Sequence, residues 1–542
     1  MSAHANALAT PELVTSDFTA STDPEVPAAF SLVGRVVFWN GTPSFGHLGA
    51  LLDATAEVKP GQFLAVWHGR RSQGLLTVLQ VGDCHEVNPN EEPQLAAARE
   101  RLGLAASYGA EAVSTRIYRV ASCETVEEFE VRISDSDCEL LAARAPVTLA
   151  RAGDPVVLLP DDLSQAAIGS LPDESAGVNL GAAYGPSEFP ITLVPNILQM
   201  HVGVFGNPGK GKSYLSGVIL EEARAWDVPI LALDVNGEFI DAARALKGLV
   251  ITLPDPSQFG LSLNLLTPPE LVSIAPNVQP NTNYAELIEL AHDQLRNEAR
   301  GREISFDDLR SRISDLGKRL DTRPTSIGAA ISRVSVLQRD PLIGIGRSFD
   351  FIESLKNHRI VVLDCRYLSL RQTQLIAAAA ARTLQRYGRE MTKRANENPQ
   401  DHEAATWFAM LFVDEAHAVA PNSEGVISSQ VLYELARMGR HVRTGLMLSS
   451  QSPADIDRSI LKRLQTRFIF ALEKDQLAAI GGVAADLGQE LQQQLPKLPR
   501  GICAVSGTSE LIKHGFLLKV KSRRTPVGGK TPPVFETRKK RA

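Results

Sequence analysis

The 542-residue sequence has few cysteines, few aromatic residues and little excess charge. Its five cysteines include no C-x-x-C pair, so they support neither a zinc site nor a disulfide framework and are typical of a reducing compartment. No apolar run approaches the ~20 residues that span a bilayer, and no basic-then-apolar signal opens the chain. The net charge of −6 excludes a uniformly basic nucleic-acid binder, although not a local basic channel. We expect a cytoplasmic protein without a membrane partner.

The length predicts two or three domains, because single cores stop growing near ~250–300 residues. Residues 1–27 are small, polar and proline-rich, and predict a disordered leader. Residues 28–165 contain short β-branched or aromatic segments between turn residues. They predict a small N-terminal β-barrel, since closure removes exposed strand edges. Residues 166–190, rich in aspartate, serine, glycine and proline, predict a linker.

The rest of the chain alternates apolar strands with amphipathic helices, as α/β folds with a mostly parallel, doubly wound sheet do. This core is predicted over residues 191–265 and 346–520. Helical periodicity over residues 266–345 predicts a helical subdomain inserted between the two halves. Residues 521–542 are basic and rich in proline and glycine, and are expected to form a tail.

A glycine-rich loop between an apolar run and an amphipathic helix organises the predicted core. From Gly206 to Ser213 it has the phosphate-binding pattern of glycine, four residues, glycine, lysine and serine. Its backbone N–H groups can surround an anion, and the helix N-terminus adds its positive dipole end. We expect Lys212 to reach the β- and γ-phosphates of ATP and Ser213 to ligate Mg²⁺. The predicted nucleotide-binding run is Gly206, Asn207, Pro208, Gly209, Lys210, Gly211, Lys212, Ser213 and Tyr214.

Carboxylates at strand ends complete the predicted site. Asp414 and Glu415 follow an apolar run. Asp414 is expected to hold Mg²⁺ through water, and Glu415 to polarise the water that attacks the γ-phosphate. Asp234 ends another apolar strand, at the edge where α/β folds bind ligands, and the alternative is that it caps the next turn. Glu238 joins Asp234 in the predicted nucleotide-binding set.

Gln451 and an arginine cluster are further catalytic candidates. Gln451 follows two serines at a strand end, where an amide can sense the γ-phosphate or hold the attacking water, unless it is an ordinary loop residue. Arg437, Arg440 and Arg443 fall within seven positions. Oligomeric phosphoryl-transfer motors use an arginine to neutralise developing charge, which makes Arg437 and Arg440 candidates. A solvated helix face is the alternative.

At these motifs the chain resembles the HerA/FtsK group of hexameric DNA-translocating ATPases, and HerA most closely. The resemblance covers nearly the whole chain. The motifs that carry it are His201-x-x-x-x-Gly206, Asp234-x-x-Gly237-Glu238-Phe239, Val413-Asp-Glu-Ala-His417, Ala436-Arg-x-Gly-Arg440, Ser450-Gln451-Ser-Pro453 and Gly528-Gly-Lys-Thr-Pro532. The loop interior, Asn207 to Lys210, departs from the family's usual Thr/Ser-Gly core, and no obvious arginine lies just upstream of the loop.

The resemblance implies a RecA-like ATPase core and a homohexameric ring that threads double-stranded DNA, with ATP bound at subunit interfaces. It also implies a HAS-barrel-like N-terminal domain whose face docks a NurA-like nuclease for resecting double-strand breaks. Residues 521–542 would form a C-terminal brace that crosses to a neighbouring subunit. Two alternatives remain: the same motor paired with another effector in antiviral defence, and a nucleotide-dependent ring scaffold.

Overall fold

The computed structural model divides into two compact units, residues 1–164 and 165–542. It describes residues 26–38, 43–53, 55–70, 73–87, 118–134, 137–186, 188–279, 281–299, 301–344, 348–423, 425–439, 441–481, 484, 486–507 and 511–528. Most of the predicted leader, Arg440 and the predicted tail from residue 529 onwards lie outside these described residues.

The N-terminal unit is a seven-stranded antiparallel sheet. The strands are β1 (Leu32–Val37), β2 (His47–Leu52), β3 (Phe63–Arg70), β4 (Gln73–Val87), β5 (Tyr118–Ser134), β6 (Asp137–Arg144) and β7 (Pro155–Leu158). They pair in the order β2-β1-β7-β3-β4-β5-β6, and β2 also pairs with β5. The pairings of six strands therefore close into a ring, to which β6 adds at β5. Buried apolar side chains such as Leu64, Val66 and Val81 form the core of this unit.

The C-terminal unit is built on one eleven-stranded sheet. The strands are β8 (Val178–Ala183), β9 (Pro190–Leu193), β10 (Val202–Phe205), β11 (Ile230–Asp234), β12 (Leu249–Thr252), β13 (Ile360–Asp364), β14 (Ala409–Val413), β15 (Thr444–Ser450), β16 (Thr466–Ile469), β17 (Ile502–Gly507) and β18 (Phe516–Val520). Their order is β12-β13-β11-β14-β15-β10-β16-β17-β18-β8-β9. From β12 to β16 all neighbours run parallel, and from β16 to β9 all run antiparallel.

Helices lie between these strands, and α2 to α12 join the parallel ones. They are α1 (Asp161–Ile168), α2 (Lys212–Ala225), α3 (Ile240–Ala245), α4 (Pro268–Ile274), α5 (Asn283–Ala299), α6 (Phe306–Arg319), α7 (Pro324–Leu337), α8 (Phe351–His358), α9 (Leu370–Glu397), α10 (His402–Thr406), α11 (Ile427–Met438), α12 (Arg458–Leu461), α13 (Lys474–Gly481) and α14 (Gln489–Gln494). Every residue of β10, β11, β13, β14 and β15 is buried, as in parallel strands covered on both faces. The predicted α/β core with a mostly parallel sheet is therefore confirmed.

Within the described part of the chain, no helix combines the length and apolarity needed to cross a membrane.

Five helices, α4 to α8, lie between β12 and β13 in the chain, and α4 to α7 fall within the segment predicted to be a helical insertion. Their sequence gives clear start signals, most plainly at α6. Ser305 Oγ accepts from the Asp308 N–H at 3.0 Å, and Asp308 accepts from the Ser305 N–H at 3.1 Å, a reciprocal capping box. The apolar stripes of these helices, including Ile288, Leu309 and Ile313, belong to the same buried cluster as the sheet residues. The helices are thus held by the core of the C-terminal unit.

The predicted linker over residues 166–190 is wrong. Strand β8 occupies its second half and pairs with β18 and β9 at the edge of the large sheet. Gly181 in this segment is required by packing, because a Cβ at this position would lie 2.0 Å from the Lys519 carbonyl oxygen. Small residues there permit close strand approach, so a glycine-rich composition marks a tight contact rather than a free segment.

A buried histidine in the helical segment makes stability depend on pH. His292 on α5 is fully buried, with Nε2 3.0 Å from the Leu263 carbonyl oxygen. Burial lowers the pKa of His292 to about 4. Above pH 6.5, the ordinary pKa of histidine, the neutral His292 is compatible with its buried position. As the pH falls from 6.5 towards 4, the unfolded chain binds a proton at His292 that the folded chain does not, so the free energy of unfolding decreases.

We expect the wild type to lose up to about 3 kcal/mol of unfolding free energy through His292 across this pH range. His292→Gln keeps an N–H donor for the Leu263 carbonyl but cannot titrate. Urea unfolding at pH 7 and pH 5 should therefore show a smaller pH-dependent loss in His292→Gln than in the wild type. Equal losses in both proteins would contradict the assignment.

Candidate active site

The glycine-rich loop joins β10 to α2 at the carboxyl edge of the parallel strands. Gly209 and Gly211 have φ angles of 75° and 126°, a region that favours glycine. A Cβ on Gly206 would lie 2.6 Å from the Phe470 Cβ. The loop is therefore closely packed against the segment that follows β16, and its glycines are needed both for conformation and for space.

The loop interior that departs from the family pattern has clear structural contacts. Pro208 is exposed at the tip of the loop. The Asn207 N–H donates to the Ala471 carbonyl at 2.9 Å, and the Lys210 carbonyl accepts from the Gly501 N–H at 2.9 Å. The Lys210 N–H also donates to the Asn207 carbonyl at 3.3 Å. Backbone hydrogen bonds thus tie the loop to residues near β16 and β17.

Lys212, the first residue of α2, is buried at the centre of the site. Its Nζ lies 3.3 Å from Asp414 Oδ1 and 3.3 Å from Glu415 Oε1, and donates to Ser449 Oγ at 3.0 Å. The adjacent strands β10, β14 and β15 bring these residues together from distant parts of the chain. Burial acts to lower the pKa of Lys212, but Asp414 and Glu415 outweigh it and raise the pKa above its ordinary value. The ammonium group therefore keeps its charge.

Asp414 fits the role of a cation ligand. It is fully buried, and its Oδ2 accepts no hydrogen bond from the described residues. Burial raises the pKa of Asp414 to about 7, against the opposing effect of Lys212. No group of three or more His, Cys, Asp or Glu side chains within the described ranges is arranged to hold a metal. A Mg²⁺ ion would therefore need Ser213 and nucleotide phosphates beside Asp414, the usual composition of such sites.

Glu415 is held by three donors to a single oxygen. Its Oε1 accepts from Gln451 Nε2 at 2.6 Å and Asn236 Nδ2 at 3.3 Å, in addition to Lys212. Its Oε2 accepts no hydrogen bond from the described residues and lies 3.4 Å from His417 Nδ1. The Glu415 backbone is left-handed (φ 48°, ψ 55°), which costs about 1 kcal/mol or more for a residue other than glycine. The surrounding contacts fix this costly conformation.

Asp234 has the capping role that the sequence left as an alternative. Its two carboxylate oxygens accept backbone N–H bonds from Gly237, Glu238 and Phe239 at 2.7, 3.0 and 2.9 Å. Burial raises the pKa of Asp234, against the effect of these three bonds. The neighbouring Glu238 helps to raise the pKa of Lys212 and of Asp414, so its charge acts on the site. Asp234 shapes the turn that carries Glu238 towards the site.

The two described arginines of the cluster, Arg437 and Arg443, do not join the Lys212 site within this chain. Arg437 is exposed in the last turn of α11 and forms no described hydrogen bond or ion pair with Lys212, Asp414 or Glu415. Arg440 lies outside the described residues. Arg443 donates from Nη1 to the carbonyls of residues 404 and 405, so it supports the end of α10.

Sequence reasoning missed Asn236 and Ser449, which contact Glu415 and Lys212 respectively. Each lies one or two residues from a motif residue that was identified. Asn236 lies within the Asp234-x-x-Gly237 motif, and Ser449 precedes Ser450-Gln451. Polar residues beside a recognised strand end were the available signal.

The described part of the predicted brace, residues 521–528, packs on α2 of its own chain. Buried Glu221 accepts from the Thr525 N–H and Oγ1 at 2.6 and 2.7 Å and from the Arg524 N–H at 2.9 Å. Arg523 donates from Nη1 to the Ser213 carbonyl at 3.2 Å. These contacts connect the C-terminal segment to the first turn of the helix that follows the glycine-rich loop.

We expect Glu221→Gln to lower the free energy of unfolding by roughly 1–3 kcal/mol, because charge-assisted bonds inside the protein are lost. The bonds from Thr525 and Arg524 outweigh burial and lower the pKa of Glu221. This stabilisation is therefore present above the ordinary value of 4.5 and is lost as the pH falls below it. Urea unfolding at pH 7 would measure the loss. The exposed carboxylate in Asp227→Asn is the matched control, and an equal loss there would contradict the assignment.

Residues 178–384 match the family model of the central domain of the helicase HerA. The chain is 25% identical over 378 residues to the DNA double-strand break repair helicase HerA of Sulfolobus acidocaldarius, covering 67% of this chain and 73% of that protein. It is 22% identical over 428 residues to HerA of Pyrococcus furiosus, covering 70% and 75%. The solved structure of VirB4 from Thermoanaerobacter pseudethanolicus is 14% identical, with a TM-score of 0.49, and covers 65% of this chain and 98% of that one. Residues 178–384 are thus similar to the central domain of HerA, and the predicted resemblance of this chain to the HerA helicases is confirmed.

Proposed function

We propose that this protein is an ATP-driven DNA translocase or helicase that works as a homohexamer. The observation that carries the proposal is the buried Lys212 Nζ, within 3.3 Å of both Asp414 and Glu415. This contact unites a phosphate-binding loop with a candidate metal ligand and a candidate base. The similarity to relatives named DNA double-strand break repair helicase HerA supports double-stranded DNA as the polymer that is moved.

In the proposed reaction the run from Gly206 to Tyr214 binds the nucleotide phosphates, and Lys212 exchanges its carboxylate partners for the β- and γ-phosphates. Glu415 accepts a hydrogen bond from the attacking water and thereby polarises it. Gln451, which contacts Glu415 directly, can pass a change at the γ-phosphate to the next loop. Asp414 and Ser213 would hold Mg²⁺, which when bound neutralises phosphate charge.

Charge neutralisation from a neighbouring subunit would complete the site. Arg437 is exposed, so it can act across a subunit interface, and Arg440 is the second candidate. The face of the N-terminal ring of strands would dock a NurA-like nuclease, and the tail beyond residue 528 would reach a neighbouring subunit. The proposed setting is double-strand-break end resection in the cytoplasm.

The two alternatives differ in what they require of the site. An antiviral assembly would use the same motor with another effector. A ring scaffold needs nucleotide binding but no oriented base. The three donors to Glu415 Oε1 favour a hydrolytic motor over the scaffold, because a scaffold gains nothing from a fixed carboxylate.

Glu415→Gln should retain ATP binding but lose turnover by about 10²–10⁴-fold, because an amide cannot act as a base. Steady-state phosphate release measures turnover, and equilibrium binding of a fluorescent ATP analogue measures affinity. Glu434→Gln, an exposed residue on α11, is the control and should hydrolyse ATP normally. Wild-type turnover in Glu415→Gln would remove Glu415 from the mechanism.

Duplex DNA should stimulate ATP hydrolysis, and its affinity should fall steeply as salt rises, because phosphate contacts release counterions. Phosphate release with and without a blunt duplex, from 50 to about 200 mM salt, measures both effects. Hydrolysis that is unchanged by DNA throughout this range would favour the scaffold.

A further inference from the structure

We infer that Asn236 is a positioning residue for Glu415, holding Oε1 so that Oε2 faces the attacking water. The inference rests on the proposed role of Glu415 as the base. Asn236 Nδ2 lies 3.3 Å from Glu415 Oε1, on the same oxygen that Gln451 and Lys212 contact. The other oxygen, Oε2, accepts no hydrogen bond from the described residues. Three side-chain donors therefore hold Oε1. Oε2, which lies 3.4 Å from His417 Nδ1, receives no hydrogen bond from the described residues and can accept one from the attacking water.

Asn236 approaches Glu415 from a turn that is fixed independently of its side chain. Asp234 caps this turn with three backbone bonds. Gly237 has a φ of 74°, and a Cβ there would lie 2.6 Å from Arg366 Nε. Arg366 is in turn held by Asp364 through bonds of 2.9 and 2.8 Å. A turn fixed on both sides presents the Asn236 amide at a constant position.

The need for Asn236 grows when nucleotide binds. Lys212 is then drawn to the phosphates and no longer supports Oε1. The two amides of Asn236 and Gln451 remain, and neither carries a charge that phosphate could attract. The nearby carboxylates of Asp414 and Glu238 would repel Glu415, so neutral donors are what keeps its carboxylate in place.

A purely structural role for the Asn236 side chain has less support. The turn already has its caps in the Asp234 bonds, which involve the backbone of residues 237 to 239 and not the Asn236 amide. The described hydrogen bond of the Asn236 side chain is to Glu415. Its loss should therefore affect chemistry rather than folding.

The test is Asn236→Ala in the full-length protein, with Asn297→Ala, at an exposed position of α5, as the matched control. We expect kcat for ATP hydrolysis to fall about 10–100-fold in Asn236→Ala, the range typical of supporting residues. The KM for ATP, the affinity for a fluorescent ATP analogue and the thermal midpoint should stay close to those of the control. An unchanged kcat, or a KM that rises in proportion while kcat is kept, would overturn the inference.

Asn236→Asp covers the case in which alanine disturbs the turn. It keeps the side-chain shape but replaces the donor with an acceptor, so kcat should fall at least as far as in Asn236→Ala. Wild-type kcat in Asn236→Asp would overturn the inference.

A double variant separates this inference from the proposed function. If Asn236 acts through Glu415, Asn236→Ala should change the residual turnover of Glu415→Gln by less than about twofold. Full additivity would overturn the positioning role while leaving Glu415 as the base. Wild-type turnover in Glu415→Gln alone would instead overturn the proposed function.

Discussion

The ion cluster around Lys212 is the interaction on which the C-terminal unit depends. Two buried carboxylates share one buried ammonium, and the carboxylate of Glu238 adds further negative charge nearby. Removing ions from water is costly, so such a cluster persists only where the backbone fixes the groups closely. The adjacent parallel strands β14, β15 and β10 supply that fixation. The cluster also has a surplus of negative charge and an unbonded Asp414 oxygen, which together suit a cation arriving with phosphates.

Contacts from several segments of the chain hold this cluster and the elements around it. Gly501 and residues near β16 hold the glycine-rich loop, and residues 521–528 hold the helix that follows it. The capped turn after β11 supports Glu415 from one side and Gln451 supports it from the other. Each contact comes from a different segment of the chain. A shift of Asn236 or Gln451 would move the Glu415 carboxylate, which under the proposed function would couple hydrolysis to movement elsewhere.

The sequence predicted the parallel core well because its strands are short, mostly apolar and followed by polar residues at one edge. It predicted the N-terminal unit less completely. Strands β2 and β6 carry little of the β-branched and aromatic pattern, since β6 is largely exposed and β2 contains a central glycine. The polar pair Glu127 and Glu128 interrupts the apolar pattern of the long strand β5. The periodicity of apolar residues in a sequence reflects which side chains are buried. Strands with few buried side chains therefore show little apolar periodicity.

The candidate site shows the same limit at the level of single residues. Asp234 and Asp414 follow similar apolar strands, yet one caps a turn with three backbone bonds and the other has an unbonded oxygen beside Lys212. What separates them is the backbone that follows. Residues 237 to 239 return their N–H groups to Asp234. After Asp414 the chain continues through the left-handed Glu415, and no N–H group of the described residues bonds Asp414 Oδ2. Spacing along the sequence predicts which carboxylates reach the edge. Only the backbone path decides which of them remains available to a ligand.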